Sequence, residues 1–190
     1  MDRIARAGHG TLAFIFTVVD HRAWRPGDIW RPRSMAKSPD FDITAAHKYF
    51  AAHCFNGAWD LIEKPNRTPA DDRLMVALSQ ASIFHWLNRP DCTDRNLSIG
   101  YWQASRVQAL LGNAIEARRH GETCLAFSGA LEPFYLGYAH EALARAAILA
   151  GDAAGADAHL AQAEAQAARV AKAGDRDLLS QDLAALRQMR

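Results

Sequence analysis

The chain has 190 residues, enough for one ordinary hydrophobic core, and its 22 lysines plus arginines nearly balance its 21 aspartates plus glutamates. With no block of one charge, the long-range attraction that nucleic acid or an anionic membrane surface requires has no source, so neither is expected as a partner. No run approaches the roughly 18 apolar residues of a membrane span.

The first 34 residues differ in character from the rest, with six arginines, three aspartates and no lysine or glutamate. MDRIARAGHG followed by TLAFIFTVV imitates the basic and apolar parts of a secretory signal, but DHRAWRPGDIW offers no small-x-small cleavage site. The expectation is a poorly packed extension over 1–34, or a start placed upstream of a natural beginning at Met35, followed by one helical domain over 35–190. Cys54, Cys92 and Cys124 are odd in number and lie outside any CxxC motif, which suits a reducing cytoplasm better than a disulfide framework.

From residue 43 to 64, Phe50, Cys54, Ala58 and Leu61 recur on one helical stripe, and Pro65 ends the pattern. Thr68 is a good N-cap for the next helix, Pro69 suits its first position, and Asp71 and Asp72 complement the positive end of the dipole. NRPDCTDRN leads to a helix over about 95–111, closed by Gly112, with Asn113 placed to cap the one over about 114–127. Pro133 opens a fifth helix that runs to Gly151. Asp152 caps a sixth, alanine-rich and extending to about Lys172, and DRDLLSQDLAALRQM forms a seventh. No run of alternating β-branched residues follows Val19, so the class is all-α.

The helices repeat. A shift of 39 residues aligns Gly112 with Gly151, Asn113 with Asp152, Ala117 with Ala156, His120 with His159, Arg106 with Arg145 and Leu110 with Leu149. Paired helices, a Gly-Asn or Gly-Asp turn and small alanines at close approaches together resemble the tetratricopeptide repeat, whose usual period is about 34 residues. SIFHWL, YWQASRVQALLG, EARRHGETCLAF and YAHEALARAAILAGD, in that order, also resemble an uncharacterised bacterial family of small helical-repeat proteins over roughly 45–172. The resemblance implies helical hairpins stacked in a right-handed superhelix with a C-terminal capping helix. It implies no activity.

Catalytic motifs find little support. HEALA at 140–144 has Ala144 where a zinc protease needs its second histidine, and Glu116-Ala-Arg-Arg-His120 has the wrong spacing for a di-iron site. His47, His53 and His85 show no ligand spacing, and His85 follows Leu78 and Ala81 on one line, as a locally bonded core histidine would. Cys54 and Cys124 lack a visible activating base, Ser79, Ser82 and Ser105 lack a nucleophile elbow, and there is no phosphate-binding glycine loop. No catalytic residue, metal or cofactor is assigned.

One constellation carries chemistry. Tyr138, Glu141, Arg145 and Leu149 share a helical band, and the repeat places Trp102 and Arg106 at the positions of Glu141 and Arg145 on a neighbouring first helix. Glu141 can then accept from Arg145 and from Arg106, either as a buried register lock or as part of a concave surface that holds a carboxylate. The expected role is non-catalytic recognition of a protein or peptide through Trp102, Arg106, Tyr138, Glu141 and Arg145. The alternative is a small-molecule sensor or enzyme with a pocket built from His85, Trp86, Trp102, Arg106 and Glu141. Of the aromatics at 59, 86, 102, 134, 135 and 138, most are expected in the core. The last helix carries Leu178, Leu179, Leu183 and Leu186, a stripe that the previous repeat or a second copy in a homodimer must cover.

Overall fold

A computed structural model describes residues 39–189 and shows seven α-helices and no strand among them. The expectations for residues 1–34 lie outside the described residues. The helices are α1 (Ile43–Glu63), α2 (Pro69–Leu87), α3 (Asp94–Leu110), α4 (Ala114–Ser128), α5 (Pro133–Leu149), α6 (Ala153–Ala167) and α7 (Ala173–Gln188). None is long and apolar enough to cross a membrane.

Local chemistry sets the boundaries. Thr68 and Asp71 form a reciprocal capping box, with Asp71 N–H donating to Thr68 Oγ1 at 3.2 Å and Thr68 N–H to Asp71 Oδ2 at 2.8 Å. Thr93 and Asn96 do the same for α3. Asp152 accepts from Gly155 N–H at 2.9 Å, but Asn113 makes no side-chain cap. Its amide donates instead to Gln108 Oε1 at 2.9 Å. The α6 helix stops at Ala167 rather than near Lys172, because Val170 turns inward and is 5 % exposed while its N–H bonds back to the Ala167 carbonyl.

The repeat is exact in the helix boundaries of two units: α3 and α5 differ by 39 residues at both ends, as do α4 and α6. The turns match as well. Gly112 has φ 79° and Gly151 φ 73°, where an L side chain is strained, and the following N–H of Asn113 or Asp152 donates to Gln108 or Ala147 at 2.9 Å.

Packing follows the same grammar. The pairs α1/α2, α3/α4 and α5/α6 pack most extensively, the first helices α1, α3 and α5 touch in succession, and α7 rests on α5 and α6. Fully buried Ala104, Ala117, Ala139, Ala144, Ala156 and Ala163 let these helices approach closely. Buried hydroxyls and amides cross the interfaces: Ser82 donates to the Ala51 carbonyl at 2.8 Å, Ser105 to Ala117 at 2.7 Å and Gln103 to Phe55 at 3.0 Å.

Two sequence expectations change here. On α1 the inward stripe is Ala51, Cys54 and Ala58, whereas Phe50 is 41 % exposed. On α7, Leu179, Leu183 and Leu186 are buried against Ala144, Leu160, Ala163 and Ala167, so the leucine stripe is covered within the chain. Leu178 points away from that cluster and is 51 % exposed.

Candidate functional site

The charged trio lies on the facing first helices α3 and α5. Glu141 is 1 % exposed, and both of its oxygens are engaged: Oε2 accepts from Trp102 Nε1 at 2.9 Å, and Oε1 from Arg145 one turn along its own helix. The repeat thus places Trp102 and Glu141 in direct contact. The expected bond from Arg106 to Glu141 is not made, because the indole N–H and Arg145 occupy the carboxylate. Arg106 forms no hydrogen bond to any described residue, and its buried Nε is unpartnered.

Arg106 instead faces a cavity of about 500 Å³ between α1, α3, α5 and α7. This lies within the roughly 300–1,000 Å³ usual for ligand sites. Its walls are aromatic and apolar, chiefly Trp59, Trp102, Phe134, Tyr135 and Leu178. Trp59 and Trp102 lie 5.7 Å apart between centroids, Trp102 meets Tyr138 edge-on at 5.3 Å, and Tyr138 meets Phe134 at 5.0 Å. This chain of rings is half-buried rather than sealed in the core.

Tyr138 and Asp182 supply the other polar groups. The phenol of Tyr138 donates to Asp182 Oδ2 at 2.9 Å and so ties α5 to α7. Burial, then the bond to Asp182, raises the Tyr138 pKa well above the usual phenol value, so the group remains a proton donor. Burial and the charge of Arg145 hold the Arg106 pKa below its usual value, against the pull of Glu141 and Asp182. Arg106 and Asp182 both line the cavity and feel each other's charge, yet no ion pair joins them.

His85 and Trp86 are not part of this site. His85 is half-buried on α2 and faces His47 of α1, with Nδ1 to Nδ1 at 2.8 Å, while Phe50 stacks on it at 5.4 Å. Its surroundings are thus another imidazole and exposed aromatics, rather than an apolar core. Trp86 carries the Arg89 guanidinium 3.8 Å above its ring and lines a separate hollow of about 220 Å³ with Phe55 and Asn96. Both lie on α2, which contributes nothing to the Arg106 cavity. Arg145, 13 % exposed, supports the site from behind through Glu141.

Trp59, Ser98, Ile99, Phe134, Tyr135, Leu178 and Asp182 line the cavity and were not assigned to a site from the sequence. Leu178 and Asp182 fall one turn apart on α7, beside the buried leucine stripe, but no local signal says which helix that face will meet. Cys124 is fully buried beside Ser98 and Ser128, and burial pushes its thiol up to about 11, away from nucleophilic reactivity. Among the described residues no group of three or more histidines, cysteines or carboxylates is placed to hold a metal ion. Comparison of the chain with protein-family models, with curated proteins and with solved structures finds no match in any of the three.

Proposed function

We propose that the protein is a non-catalytic binding module whose site is the Arg106 cavity and whose ligand presents a carboxylate next to an apolar group. The observation that carries this reading is the Arg106 guanidinium, which makes no hydrogen bond or ion pair with a described residue and lines an aromatic-walled space of small-ligand size. Largely buried charges are almost always paired, so an unpaired guanidinium at the wall of a cavity is the natural seat of an external anion. Binding fits better than catalysis because the polar groups facing the space are a guanidinium, a phenol held protonated, a carboxylate engaged by that phenol, and Ser98, whose hydroxyl meets Ser128 at 2.8 Å. None is a nucleophile with a base beside it.

The same chemistry has two sources, a free acid or the end of a peptide partner. The contacts of α1, α3 and α5 in succession support a tetratricopeptide-like stack, whose first helices would present this face to a partner. Calorimetric titration with 3-phenylpropionate, and with a short peptide ending in phenylalanine as acid or as amide, tests the reading. Binding that requires the carboxylate and disappears in Arg106→Met supports it, and the tighter of the two acids identifies the source. Equal binding of acid and amide, or unchanged binding by a folded Arg106→Met protein, refutes it.

A further inference from the structure

The cavity holds two opposite charges that do not neutralise each other. Arg106 enters from α3 and Asp182 from α7, and no ion pair connects them. Each is poorly matched from inside the protein. Arg106 makes no hydrogen bond or ion pair with a described residue, and Asp182 receives one hydrogen bond, from Tyr138 to Oδ2, while Oδ1 takes none from the described residues. The remaining lining is almost wholly apolar and aromatic.

That pattern constrains a ligand by what it penalises. A simple carboxylate satisfies the guanidinium but meets the like charge of Asp182 in a partly desolvated space. A simple amine satisfies Asp182 but meets Arg106. A ligand carrying both charges pairs each of them, and its ammonium gains the faces of the surrounding rings as well. A cavity of about 500 Å³ leaves room beside the charged groups for an aromatic or branched side chain against Trp59, Phe134 and Leu178.

Building on the binding role proposed above, we infer that the occupant is a zwitterion, a free α-amino acid with an apolar side chain, with its carboxylate on Arg106 and its ammonium on Asp182. Tyr138 is a positioning residue: its hydroxyl fixes one oxygen of Asp182 and leaves the other facing the cavity.

Calorimetry on the full chain tests this with four probes sharing one ring: L-phenylalanine, 3-phenylpropionate without the ammonium, phenethylamine without the carboxylate, and N-acetyl-L-phenylalanine with a neutral N–H like that of a peptide end. L-leucine and L-tryptophan extend the side-chain range. At least one of the three amino acids binds, and each analogue of L-phenylalanine binds at least about tenfold more weakly than the parent, as expected when one charged hydrogen bond is lost. Asp182→Asn keeps an acceptor for Tyr138, so the fold persists while L-phenylalanine falls to the affinity of 3-phenylpropionate. If 3-phenylpropionate or N-acetyl-L-phenylalanine equals L-phenylalanine, the zwitterion is wrong while the carboxylate site stands. If all three amino acids fail to bind, the zwitterion is wrong whatever the acids do. If every carboxylate fails, the binding reading falls with it.

Discussion

Glu141→Gln is the sharpest probe of how the trio is held. The substitution preserves shape and still offers its one oxygen to Trp102 Nε1, but it then turns an amide NH2 toward Arg145, whose side chain is only 13 % exposed. A hydrogen bond to a charged group contributes about 1.5–3 kcal/mol, and stranding one member of a buried ion pair costs about 3–5 kcal/mol. Because Arg145 keeps some contact with water, about 3 kcal/mol is the expected loss. At roughly 2–4 °C per kcal/mol for a domain of this size, the Tm falls by about 6–12 °C. Arg145→Met strands the carboxylate at a site that is 1 % exposed and costs at least as much. The double variant buries no unmatched charge, so it is more stable than the sum of the two losses by about 1.5 kcal/mol or more. Urea denaturation of the four proteins supplies the cycle. Two single losses below about 0.5 kcal/mol that simply add would refute the claim that this buried ion pair within α5 stabilises the fold.

Two further outcomes concern the frame around the site. The Nδ1 atoms of His140 and His159 face each other at 3.2 Å across α5 and α6, and burial is the first cause lowering both pKa values, with His159 next for His140 and Arg118 next for His159. A histidine pKa depressed on folding contributes stability that is intact above the ordinary value of 6.5 and is lost as the pH falls below it. The Tm should therefore drop between pH 7.5 and pH 5, and His159→Gln should drop less; a steeper fall in the variant contradicts the sign. Gly112→Ala and Gly151→Ala place a side chain at φ 79° and 73° with nothing within 4 Å of the added Cβ, so each costs about 1–2 kcal/mol through backbone strain alone, measurable by chemical denaturation. A neutral result at either turn would show that the repeat does not depend on that conformation.

The helices and the repeat are legible along the chain, because their causes are local. A capping threonine, a proline at a first turn and a glycine that admits positive φ act within a few residues, and a 39-residue shift carries the same turn from Gly112 to Gly151. The sequence also placed Trp102 opposite Glu141 and Arg145 beside it, since equivalent positions on adjacent first helices must meet when the units stack. Tertiary structure decided everything that depends on which faces converge. Trp102 rather than Arg106 reaches the Glu141 carboxylate, because the indole N–H and Arg145 arrive at its two oxygens first. His85 and Trp86 turn away on α2, against His47 and Arg89. Asp182 reaches the cavity because the leucines at 179, 183 and 186 bury α7 against α5 and α6, and the neighbouring face of that helix then closes the space beside Arg106. A cavity built from four helices separated by up to about 120 residues of chain has no local signature. Its charges are legible one at a time, and their unpaired arrangement emerges with the packing.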